Sequence, residues 1–65
     1  MPEVYIYSQR GCTNDERRVL VKEISEIVAR NLKVAPEVVM VQIIARDHSG
    51  KHRTFVHRGA SDVIH

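Results

Sequence analysis

Residues 39–45 read Val39-Met40-Val41-Gln42-Ile43-Ile44-Ala45, a nearly unbroken apolar run rich in β-branched side chains. Pro36 precedes the run and the polar cluster Asp47-His48-Ser49-Gly50-Lys51 follows it. The pattern predicts a strand covered on both faces, and a strand of that kind belongs in a parallel pair. Its partner lies at the start of the chain, where Val4 and Ile6 alternate with Tyr5 and Tyr7. Between the two, Thr13-Asn14-Asp15-Glu16 has the form of a capping box, with Thr13 as N-cap and Glu16 three residues on. The helix it starts is expected over residues 14–31. Leu20, Ile24, Ile27, Val28 and Leu32 form its apolar stripe, and Arg17, Arg18, Lys22, Glu23, Glu26 and Arg30 its wet side. Pro36 stops the helix, because proline cannot continue an interior turn and pushes the preceding residue out of the helical region.

Strand, helix and strand in that order make a right-handed βαβ unit. Arg53-Thr54-Phe55-Val56-His57 adds a hairpin arm broken at Gly59, and Asp62-Val63-Ile64-His65 is a candidate further strand or docking arm. The fold class is therefore α/β: one βαβ unit with a parallel two-stranded core and a short C-terminal hairpin, occupying residues 1–65 as a single domain. A single helix covers one face of such a sheet. Met40, Gln42 and Ile44 on the other face are left for a second subunit, so the small sheets are expected to join into larger ones in an oligomer.

A chain of 65 residues, 43% hydrophobic and 28% charged, is small enough to need a staple beyond its own core. Its one cysteine, Cys12, allows no internal disulfide and no thiolate zinc site. Oligomerisation is what remains. No apolar run approaches the roughly 20 residues needed to span a bilayer, and no basic segment followed by an apolar one opens the chain. A cytoplasmic location is the expectation, in keeping with a lone free thiol. Ten Lys and Arg stand against eight Asp and Glu, a thin basic margin without interleaved aromatic stacking platforms, which argues against nucleic acid as the partner. His48 and His52 flank Ser49-Gly50, which makes a helix improbable there, so no metal site is expected. There is no Gly-x-Ser-x-Gly elbow and no glycine-rich phosphate loop.

The chemically pointed residue is Pro2. Removal of Met1 exposes it as a terminal secondary amine, a base whose reference pKa is about 7.7 to 8.0 and which apolar or cationic surroundings push toward neutrality. Such an amine can abstract a proton beside a carbonyl. The densest positive stretch, Arg46, Lys51, Arg53 and Arg58 with His48, His52 and His57 between them, can receive an anionic substrate or stand as a solvated hairpin.

Pro2, the segment Arg10-Gly11-Cys12-Thr13-Asn14-Asp15-Glu16, the helix pattern of residues 20–32, Ala35-Pro36, the run of residues 39–44, and Phe55 ahead of Gly59 together resemble the 4-oxalocrotonate tautomerase family over nearly the whole chain. The resemblance implies βαβ subunits assembled as dimers and then trimers of dimers. It also implies a cofactor-independent isomerase acting on a small 2-oxo or enol carboxylic acid, with Pro2 as general base and acid in a pocket between subunits. Phe55 stands where the family places an aromatic that dries the pocket.

The chain departs from the family at two places. An arginine is usual just after the glycine of the first turn and in the second strand, and here those positions hold Cys12 and Met40. Neither supplies a bidentate fork for a carboxylate. Three readings follow. Arg10, Arg46, Arg53 or Arg58 serve from shifted positions; or the chain is half of a hetero-oligomer, a non-catalytic partner whose mate brings the arginines; or the activity is lost. The superfamily's dehalogenase and decarboxylase reactions, in which a protonated proline acts as acid, are further alternatives.

Overall fold

The computed structural model describes residues 1–59. In chain order it comprises β1 (Glu3–Tyr7), α1 (Asn14–Leu32), a 3₁₀ turn over Pro36–Val38, β2 (Met40–Arg46) and β3 (His52–Arg58). The strands form one sheet in the order β1-β2-β3, with β1 and β2 parallel and β2 and β3 antiparallel. This is the βαβ unit with a C-terminal hairpin that the sequence predicts. The expected arm is a full third strand that pairs with β2 along its entire length. The candidate element at residues 62–65 lies outside the described residues.

The capping box closes as expected. Thr13 Oγ1 accepts from the Glu16 amide at 3.1 Å, and Glu16 Oε1 accepts from the Thr13 amide at 2.9 Å. At the other end Lys33 takes the left-handed conformation (φ 59°, ψ 48°), and its amide donates to the Ala29 carbonyl. Helix termination is therefore already complete at Lys33, three residues before Pro36.

β2 is the central strand and shows strict alternation. Val41, Ile43 and Ala45 are fully buried, with Val39 just before the strand, whereas Met40, Gln42 and Ile44 are half-buried. The register places Val4 beside Val41 and Ile6 beside Ile43, so these four share the face covered by α1. The helix does not meet that face with the stripe read from hydrophobicity. Its buried residues are Val21, Ser25 and Ala29, four apart. Leu20, Ile24 and Val28 pack on the flanks, and Ile27 and Leu32 are 51% and 58% exposed. Small side chains at Ser25 and Ala29 let the helix approach the sheet closely, and Ser25 meets its polar need by donating to the Lys22 carbonyl at 3.1 Å. Extending the same line one step toward the N-terminus reaches Arg17, which is half-buried and not on the wet side.

The opposite sheet face has no cover within the described residues. Tyr5, Gln42 and Val56 form one cross-strand row, and Tyr7, Ile44 and Thr54 the next. Tyr7 is 77% exposed and Val56 57%. No helix is long and apolar enough to cross a membrane, among the described residues.

Candidate active site

The parallel pairing of β1 and β2 sends both strands to the same end of the sheet. There the segment after β1, the N-terminus of α1 and the β2–β3 turn meet around a pocket of about 460 Å³. Cys12, Arg17, Arg46, Asp47, Arg53 and Phe55 are among the residues that line it. Close backbone packing holds the segments together. A Cβ on Gly11 would stand 2.8 Å from the Arg46 carbonyl oxygen. Arg46 clips the two turns to each other, its Nε donating to the Gln9 carbonyl at 3.1 Å and its Nη1 to the Gly50 carbonyl at 2.7 Å.

Phe55 faces the helix side of the sheet, paired with Ile43, and packs against the core. The Arg17 guanidinium lies over its ring, 3.8 Å from the centroid, and the Arg53 guanidinium is 5.5 Å from the same centroid. Arg17 Nη1 donates to the Cys12 carbonyl at 2.7 Å and Nη2 to Asn14 Oδ1. Its Nε is shut off from solvent without a hydrogen-bond partner among the described residues. Arg53 is exposed and makes no hydrogen bond or ion pair with a described residue beyond its approach to Phe55.

Asp47 is the acidic side chain on the pocket wall, and its Oδ1 is occupied by the Ser49 hydroxyl (2.6 Å), the Ser49 amide (2.9 Å) and the Lys51 amide (3.2 Å). The Ser49 hydrogen bond, followed by that from the Lys51 amide, holds its carboxyl below the usual aspartate range. With Asp47 ionised, three guanidiniums face one carboxylate, and the pocket carries a net positive charge.

The structure therefore gathers Arg46, Arg53 and Phe55 and separates the other candidates from them. Arg10 forms a two-pronged pair with Glu16, at 3.0 and 3.3 Å, outside the pocket lining. That pairing lowers the Glu16 pKa and raises that of Arg10. Arg58 stands opposite Met40, and the Met40 amide donates to the Pro2 carbonyl at 3.1 Å. Pro2 and Arg58 thus share one end of the sheet, and the arginine pocket occupies the other. At about 3.3 Å per residue, the length of β2 puts roughly 20 Å between them.

Arg17 is the pocket residue the sequence reading missed, and the usable signal was its place four residues before Val21 on the line Val21, Ser25, Ala29. Among the described residues no group of three or more His, Cys, Asp or Glu side chains is placed to hold a metal ion.

No family model matches the chain, and no solved structure matches it. A curated protein of Listeria monocytogenes serotype 4b (strain F2365), described as a probable tautomerase, is 44% identical over 41 residues, which span 63% of this chain and 67% of that protein.

Proposed function

The chain belongs to the tautomerase family, and from that premise we propose that it is a cofactor-independent isomerase of small 2-oxo or enol carboxylic acids, with Pro2 as the proton carrier. Once Met1 is removed, the Pro2 amine takes the hydroxyl proton of an enol acid. Charge spreads over the resulting enolate, and the protonated amine returns the proton to carbon, giving the keto form with atoms and charge balanced. Guanidiniums aimed at the carboxylate and the developing oxyanion lower the barrier to the first transfer.

The observation that supports this reading best is the pocket that Arg46 and Arg53 line together with Arg17 and Phe55, which carries a net positive charge. Because Pro2 lies at the opposite end of its own sheet, the reading requires an assembly in which the proline of one copy enters the pocket of another. The uncovered row of Tyr5, Gln42 and Val56 and its neighbour Ile44 supply an apolar face for that association, and a hexamer is the expected form.

A second reading is supported by Met40, an apolar residue whose backbone amide donates to the Pro2 carbonyl just before β1. With no cation at that position, the chain is instead a partner subunit that completes the pocket of a related chain. Turnover of an enol 2-oxo acid by the purified chain alone, lost by at least about 100-fold in Pro2→Ala, is the result expected from the first reading. Full activity in Pro2→Ala overturns it, and activity only on mixing with a related chain favours the second.

A further inference from the structure

We propose that Arg17, acting with Arg53 across the Phe55 ring, grips the substrate's carboxylate and sets the requirement for an acid over a neutral carbonyl compound. The proposal rests on the tautomerase reading for its substrate class, and on the pocket geometry for everything else.

A guanidinium carries five N–H donors in a planar fork. Two of Arg17's nitrogens meet neutral acceptors, the Cys12 carbonyl and the Asn14 side-chain oxygen, and one face of its plane lies on Phe55. Its Nε is removed from water with no hydrogen-bond partner among the described residues. No carboxylate pairs with Arg17, Arg46 or Arg53 among the described residues, although Arg10, Arg18 and Lys22 each have an acidic partner. A partly buried cation without a counter-ion is costly, and two more cations beside it raise the cost. The carboxylate on the pocket wall, Asp47, has its Oδ1 bound by its own turn. An anion entering the pocket relieves this imbalance.

The two arginines differ in their freedom. Arg17 is fixed by its hydrogen bonds and its stacking, so it presents a pre-set surface to the ligand. Arg53 is exposed, makes no hydrogen bond or ion pair among the described residues, and has room to close over a bound carboxylate. Phe55 sets an apolar ring against both guanidiniums, and a less polar surrounding strengthens the charge–charge attraction.

The test uses phenylenolpyruvate and its methyl ester as substrates and fumarate as a non-reacting dicarboxylate probe, with Arg17→Lys and Arg53→Ala as variants. Lysine keeps the charge but loses the fork, and Arg53 has no structural partner among the described residues whose loss would unfold the chain. Wild-type protein is expected to favour the acid over the ester. Each variant lowers that preference by roughly 10- to 100-fold through the acid's KM, and weakens fumarate binding in parallel. Retention of both the acid preference and the fumarate affinity within twofold in both variants overturns the proposal. Equal turnover of acid and ester by wild-type protein overturns it too, while leaving the tautomerase reading standing. Fumarate binding that falls in both variants, in a protein that turns over neither substrate, supports the clamp and removes the tautomerase reading.

Discussion

Replacing Gly59 by alanine tests how the Pro2 end of the sheet is held. A Cβ built there falls 1.8 Å from the Pro36 carbonyl oxygen, 2.7 Å from its carbon and 3.4 Å from Glu37 Cα. All three are backbone atoms, so no side chain can swing aside. Relief needs a shift well over 1 Å between the end of β3 and the 3₁₀ turn; one hydrogen bond spans that gap, and a second closes the turn on the struck Pro36 oxygen. The Gly59 amide donates to the Val39 carbonyl at 2.8 Å, and the Val39 amide donates to the Pro36 carbonyl at 3.1 Å. Losing them costs about 1 kcal/mol each, and forced overpacking adds about 1 to 3 kcal/mol, so a loss of roughly 3 to 5 kcal/mol is expected. A domain of this size holds only on the order of 3 to 10 kcal/mol, so Gly59→Ala should be largely unfolded or close to it. Urea unfolding followed by circular dichroism reads this directly. Gly50→Ala is the control: open space surrounds that position, and only its φ of +84° opposes a side chain, at about 1 kcal/mol. A Gly59→Ala midpoint equal to wild type, or above that of Gly50→Ala, refutes the packing argument.

Two further predictions concern acid stability and assembly. Glu16 and Asp47 both have folded-state pKa values below the ordinary carboxylate range, held down first by Arg10 and by Ser49 respectively. Their stabilising contribution is complete above the unfolded carboxylate pKa of about 4 and fades as pH falls through the lower folded values. A Glu16→Gln, Asp47→Asn double variant should therefore show a smaller loss of melting temperature between pH 5 and pH 2.5 than wild type; an unchanged acid limb contradicts those pairings. Val56→Lys puts a charge in the middle of the uncovered sheet face, and native mass spectrometry should show the assembly shifting to smaller species while the circular dichroism spectrum of the subunit is kept. An unaltered mass distribution removes this face from the interface.

Much of the fold was legible because its signals are local. The capping box at Thr13 and Glu16, the alternation of β1 and the apolar run of β2 are each written within a few consecutive residues, and each forms where expected. The helix face was misread because hydrophobicity ranks Ile27 and Leu32 above Ser25 and Ala29. Close approach to a sheet instead rewards small side chains, and large aliphatics ride on the shoulders. Arg17 was assigned to water for the same reason, on its charge and not its position. The grouping of Arg46, Arg53 and Arg58 as one patch failed on register. β3 runs antiparallel to β2, so Arg53 pairs with Ala45 at the pocket end and Arg58 with Met40 at the far end. Topology alone then separates Pro2 from the arginine pocket, because β1 and β2 start together at one end of the sheet.

Complementation between two inactive variants tests the central claim, that one copy's Pro2 works in another copy's arginine pocket. Pro2→Ala and Arg53→Glu chains, each inactive alone, are unfolded together, refolded at equal ratio and assayed for turnover of an enol 2-oxo acid, with native mass spectrometry confirming mixed assemblies. Random mixing in a symmetric oligomer leaves about a quarter of the composite sites with both an intact proline and an intact pocket, so about a quarter of wild-type activity is the predicted result. Mixed assemblies without activity contradict the account.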